Sequence, residues 1–408
     1  MLLRLHILPS LSRTSSLLGL LVLPFWALSA TVLSAAQPPR ADVPSAGLTL
    51  AAVLTDRDGF AGAHDIEIRD GIAYVAGKGG SIAIVDVRQP GAPKLLWSAR
   101  DSIAYEDSET VLPVEGNRLL VGTRDLLLFD VSQPASPRLV TRLHRRPEID
   151  TINGFARLSH TVYGANKFGH IFAVDVSIPD QLKFLGSRNA QELDGLGSPH
   201  DVAVLGDFLV VVSPQGFGRD RNQTGTVAIY RIANQAKGFE ATGYRAATGR
   251  MLTPDQWTLV GKIEHLRLAG ANRVMTRGKF AYIGSSLTDT ADRSEGRSGT
   301  VAVIDLTDPA KPQLRGVVKF PDHRGPNGLE VAGSLVFAAG GKAVQVVDVA
   351  DPANPREVAA FSSSDVFPGG ADDGHDLVYH AGHLFVTGQR THALVVLKLS
   401  DELQARTR

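Results

Sequence analysis

SIAIVDVRQPGAPKLLW, Ser81 to Trp97, sets the fold: an apolar run, an Asp, one more apolar residue, a turn punctuated by Pro90 and Pro93, and a second apolar run. The pattern recurs as LLLFDVSQPASPRLV from Leu126, IFAVDVSIPDQLKFL from Ile171, VAVIDLTDPAKPQLRG from Val301 and VQVVDVADPANPREV from Val344. Weaker copies start at Val227 (VAIYRIANQ) and Leu394 (LVVLKLSDE). The anchors Asp86, Asp130, Asp175, Asp305 and Asp348 are 44, 45, 130 and 43 residues apart; Tyr230 divides the long gap and Lys398 ends the series, giving seven copies.

A period in the forties built from short β-branched runs and Pro/Gly/Asp turns predicts four-stranded propeller blades. One such sheet cannot bury both faces alone, so the copies must stack around an axis. The expected fold is therefore all-β: a seven-bladed β-propeller of four-stranded antiparallel blades. In the first copy the strands are read as His64 to Arg69, Ile72 to Ala76, Ser81 to Val87 and Lys94 to Ser98, joined by the turns Asp70-Gly71 and Gly77 to Gly80. The recurrent Asp is read as structural, since its carboxylate can accept the backbone N–H groups of the Pro turn that follows.

The hhVDhxxPxxP core at Asp86, Asp130, Asp175, Asp305 and Asp348 resembles the LVIVD-repeat β-propeller proteins over roughly Leu48 to Leu399. That resemblance implies the fold and an extracytoplasmic setting. It implies no reaction, because propellers host unrelated activities.

Residues 1–36 carry Arg4 and Arg13, no acidic residue, the apolar run LLGLLVLPFWALSATVL, and then Ser34-Ala35-Ala36, a pattern that predicts a secretory signal peptide cut after Ala36. Secretion or a periplasmic location is thus expected, with no membrane association after cleavage. Residues 37–47 (QPPRADVPSAG) read as a linker, residues 48–400 as the propeller and residues 401–408 as a tail. The last copy has runs at Asp376 to Tyr379, Leu384 to Thr387 and Leu394 to Leu399 but no outer strand, so Leu48 to Thr55 is expected to supply it and close the ring.

With no cysteine, disulfides, thiolate metal sites and a lipoprotein anchor are excluded. Net charge is zero from 42 basic and 42 acidic residues, and −2 without Arg4 and Arg13, so no global field attracts nucleic acid. A monomer is expected. There is no phosphate-binding Gly loop, H-E-x-x-H, G-x-S-x-G or D-x-D-x-D-G stretch, and aromatic content of 6% argues against a sugar-stacking lectin.

Aligning the starts of the innermost strands gives a polar column, His64, Glu109, Asn153, His200, Asn272, Asn327 and His375, followed by Asp65, Thr110, Gly154, Asp201, Arg273, Gly328 and Asp376. Innermost strands line the axial channel, so the first column should ring one mouth, where a ligand site is expected. The middle hairpins carry Lys78, Arg124, Lys167, Lys342 and Arg390, which should open beside that ring and attract an anion. The expected function is a binding module for an anionic small molecule or a protein partner, without a cofactor. Its alternative is a metal-assisted hydrolase or lyase holding a divalent metal with His64, His200 and His375. The competing structural reading gives each His a hydrogen bond to the neighbouring blade. Three insertions, Ser213 to Gly225, Ala233 to Trp257 and Ser285 to Gly299, are expected on one functional face.

Overall fold

The computed structural model describes residues 47–215, 224–234, 251–286, 298–321, 325–364, 366–367 and 373–408, all within one compact unit, Asp42–Arg408. Residues 1–46, where a signal peptide and a linker are expected, lie outside them, as do residues 216–223, 235–250 and 287–297 of the three insertions. Seven four-stranded antiparallel sheets form the seven blades. In blade 1 the strands, from the channel outward, are Ala63–Arg69, Ile72–Gly77, Ser81–Asp86 and Lys94–Arg100, within two residues of the sequence reading.

Strand alternation explains the ring. In blade 1, Ala73, Val75, Ala83 and Val85 pack with Phe385, Leu394 and Val396 of blade 7, whereas the interleaved Tyr74, Ala76, Ile82 and Ile84 pack with Val111, Leu119 and Val121 of blade 2. Successive side chains of a strand point to opposite faces, so each blade shares one core with each neighbour. That is why the central strands are buried throughout.

Blade 7 consists of Gly374–His380, His383–Gly388, Ala393–Leu399 and, outermost, the N-terminal strand Leu48–Thr55. This last strand pairs antiparallel from Leu48 opposite Leu399 to Thr55 opposite Ala393. Residues 401–408 include a short helix, Asp401–Ala405, capped by the Ser400 side chain. The Arg406 carbonyl accepts from the Ser334 N–H and its guanidinium pairs with Asp348, both in blade 6.

The repeated Asp closes a turn in all five strong copies. One oxygen of Asp86, Asp130, Asp175, Asp305 and Asp348 accepts from the N–H two residues on, at 3.0, 3.0, 2.8, 2.8 and 3.1 Å. These turns lie at the end of the ring opposite the inner-strand starts. Of the strand ends that flank the insertions, Ser213 and Gly225, and Ser285 and Ser298, lie beside the inner-strand starts, whereas Arg231 and Thr258 lie at the opposite end.

Candidate functional site

The inner strands reach the channel mouth through irregular pairing that lifts the first column out of the ladder. Register shifts fall between Ala63 and Asp65, Ile152 and Gly154, Ala271 and Arg273, and Gly374 and Leu377. A bulge re-aims the extra residue, and here it frees His64, Asn153, Asn272 and His375 to point along the ring. His64 Nδ1 meets the Glu109 carbonyl of blade 2 at 2.9 Å, His200 Nδ1 the Asn272 carbonyl of blade 5 at 3.0 Å, and His375 Nδ1 the His64 carbonyl of blade 1 at 2.9 Å. Facing a carbonyl, Nδ1 must be the protonated nitrogen.

The Asp that follows adds a second point of attachment. Asp65 accepts from Val111 N–H at 2.8 Å in blade 2, and Asp201 from Val274 N–H at 2.9 Å in blade 5. The His-Asp dipeptide is thus an inter-blade latch. Between Asn272 and Asn327 an amide–amide bond of 3.2 Å ties blade 5 to blade 6. The aspartates need small neighbours: a Cβ at Gly154 would lie 2.0 Å from Asp201 Oδ1, and one at Gly328 2.3 Å from Asp376 Oδ1.

The surroundings of the histidines favour the neutral imidazole. Burial, reinforced by neighbouring charges including Arg273, pushes His200 and His375 down to about 3 and His64 well below its usual range. The rings of His64 and His375 lie 3.8 Å apart, centroid to centroid. Among the described residues no three His, Asp or Glu side chains are grouped to hold a metal ion.

The basic hairpin residues do open at this mouth, with unequal roles. Lys167 and Lys78 both reach Glu109 Oε1, at 2.5 and 3.5 Å, spanning blades 3 and 1 over a fully buried carboxylate of blade 2. Arg124 turns to Asp150 and Glu106. Lys342 and Arg390 are exposed. Glu109 Oε2 and both amide atoms of the fully buried Asn153 lack hydrogen-bond partners. Within the column His64, Glu109, Asn153 and His375 are buried, while His200, Asn272 and Asn327 are partly exposed.

Sequence reasoning missed the layer beneath. Arg273, on the inner strand of blade 5, reaches across the channel: its Nη2 lies 3.0 Å from Asp65 Oδ1 in blade 1 and 3.0 Å from Asp376 Oδ2 in blade 7, with all three residues buried. Burial alone would lower the Arg273 pKa, but Asp376, Asp65 and Asp201 outweigh it and raise it. Burial pushes Asp376 up, whereas Arg273 and the hydrogen bonds to Asp65 hold that carboxyl down against its own burial. One step deeper, burial raises Glu67 to about 8 and Glu330 to about 7. The only sequence signal for this layer was an Arg in a column otherwise filled by Asp, Thr and Gly.

His200→Ala should lower the unfolding free energy by about 1–3 kcal/mol, through the lost hydrogen bond and an unpaired buried carbonyl, as read by urea denaturation. Metal content by mass spectrometry should equal that of wild type. Loss of a stoichiometric metal would restore the metal-site reading.

The LVIVD repeat model matches residues 61–100 and 112–144, which span blade 1 and most of blade 2. No curated protein matches the sequence. Among solved structures, the Pan2 WD40 domain of Neurospora crassa is similar at 12% identity and TM-score 0.56, covering 87% of this chain and 96% of that one. A chain of the Mitotic Checkpoint Complex is similar at 11% identity and TM-score 0.58 (94% and 100% covered), and the WD40 propeller domain of Doa1 at 9% and 0.56 (88% and 99%). At such identities the likeness is one of fold alone. The chain is thus a seven-bladed β-propeller whose first two blades match the LVIVD repeat.

Proposed function

We propose that this chain is an extracytoplasmic interaction module that meets a protein partner across the mouth face of the ring. The supporting observation is where apolar surface is left uncovered. Ile103, Phe168, Leu193 and Leu266 are 86, 51, 65 and 48% exposed; the other exposed large apolar side chains among the described residues, Leu50, Val53, Leu139 and Ile178, are spread over the outer strands and the opposite end. The first four sit in the hairpins or blade-to-blade connections at the mouth end, around the polar ring. Phe168 and Leu193 share one corner, since the Gln191 N–H donates to the Gly169 carbonyl at 3.2 Å. Several large apolar side chains exposed on one face mark an interaction surface more often than isolated ones do. Exposed Lys342 and Arg390 on the same face would meet acidic side chains of that partner.

The test is co-purification from the source's extracytoplasmic fraction with wild type, Phe168→Asp/Leu193→Asp and, as a control at the opposite end, Ile178→Asp. A partner retained by wild type and the control but lost from the double variant is expected. Equal recovery by all three would sink the reading. The location rests on the leader pattern of residues 1–36, and N-terminal sequencing of the mature protein should find a start near Gln37; an intact Met1 in the cytoplasm would remove it.

A further inference from the structure

A repeated contact joins the polar ring at the mouth blade to blade. A side chain of the first column reaches the next blade's residue in the same column: His375 of blade 7 the His64 carbonyl, His64 of blade 1 the Glu109 carbonyl, His200 of blade 4 the Asn272 carbonyl, and Asn272 of blade 5 the Asn327 side chain. Glu109 of blade 2 and Asn153 of blade 3 break the pattern. Both are fully buried, yet Glu109 Oε2 and both amide atoms of Asn153 have no hydrogen-bond partner. An unpaired buried polar group costs stability, and three such atoms on neighbouring blades are the groups that a ligand would satisfy.

The surroundings define that ligand. His64 donates through Nδ1, so its Nε2 is an acceptor, and it lies 3.9 Å from Glu109 Oε2. Two acceptors so placed cannot bond each other, and each needs a donor. Glu109 Oε1 is held by Lys78 from blade 1 and Lys167 from blade 3. Both lysines reach solvent, and an ammonium group has three donors, so each has hydrogens left to offer. Beyond burial and, at His64, the neighbouring His375 ring, the charges of Lys78 and Arg273 disfavour a proton on both imidazoles, so the potential here is positive. Asp107, a further carboxylate acting on Lys78, acts more weakly than Glu109.

We propose that the sector of the mouth formed by blades 1 to 3 binds a small anion that carries its own O–H donor, a hydrogen phosphate or a hydroxycarboxylate. Its charged oxygens meet Lys78, Lys167 and Asn153 Nδ2, and its O–H donates to Glu109 Oε2 or His64 Nε2. Specificity comes from the acceptors. An oxyanion without a proton to share would leave Glu109 Oε2 unpaired and facing like charge, and a site built to bond a hydroxyl rejects the analogue that lacks it.

The experiment is isothermal titration calorimetry at low, constant ionic strength with two pairs of probes, phosphate against sulfate and glycolate against acetate. Saturable one-to-one binding is expected for at least one proton-bearing member, about tenfold or more tighter than for its counterpart, as a hydrogen bond to a charged group provides. The pair that discriminates tells a phosphate source from a hydroxycarboxylate. Asn153→Leu, close in volume, removes amide atoms that have no partner in the protein. Without probe it should melt no lower than wild type, and it should bind about tenfold or more weakly. Glu109→Gln replaces an acceptor by a group that can also donate, so the two members of a pair should bind alike, which keeps the test open if Asn153→Leu folds poorly. No saturable binding from either pair, a preference that survives Glu109→Gln, or unchanged binding by a folded Asn153→Leu would overturn the proposal. No protein partner enters the measurement, so its failure and the failure of the docking face are told apart.

Discussion

Replacing Arg273 with methionine is expected to destabilise the ring more than any other single change in the channel. Methionine keeps much of the stem volume and removes the charge, so the loss is electrostatic rather than a cavity. Asp65 and Asp376 would then face each other in a buried layer without their cation. Removing one partner of a buried ion pair costs about 3–5 kcal/mol, which at the unfolding entropy of a chain this size corresponds to roughly 4–7 °C. Calorimetry at neutral pH reads it directly. Adding Asp65→Asn should recover part of the loss, because it removes the charge left stranded. A single variant that melts like wild type would mean that the bridge contributes nothing net.

The other large effect is expected from deleting Leu48 to Thr55. This strand supplies the outer edge of blade 7, and Leu48 is buried in the core shared by blades 6 and 7. Without it the third strand, Ala393–Leu399, presents a bare edge rich in Leu and Val, which invites pairing with other chains. A melting temperature lower by roughly 10 °C or more, or aggregation on expression, is the expected result. An unchanged melting temperature and a monodisperse product would show that the three remaining strands suffice.

The fold was legible because each blade repeats the same local chemistry. The Asp at the end of the third strand marks its own turn in every strong copy, and the missing outer strand after Leu399 pointed to Leu48–Thr55. The mouth was legible only as a column. The sequence places His64 at the head of a strand, but nothing in it marks the bulge between Ala63 and Asp65 that turns this ring toward the Glu109 carbonyl. Glu109 looked like one polar residue among seven, yet it anchors lysines from the blades on either side. Arg273 was visible in the second column, but its partners are 208 and 103 residues away, beyond any local pattern. Latches and ion pairs between blades are set by closure of the ring, and closure is a property of the whole repeat array.

The pairing of Leu48 with Leu399, with the Ser400 N–H donating to the Gly47 carbonyl at 2.8 Å, has a consequence for how the chain could be rewritten. The two ends of the ring meet as neighbouring strands, so a short peptide could join them once the segment after Leu399 is trimmed, and new ends could be cut in an exposed connection such as the one around Ile103. Each blade would keep its neighbours and each latch its carbonyl. Which blade is made first is then a matter of gene order, and a circularly permuted chain beginning at blade 2 should assemble the same ring.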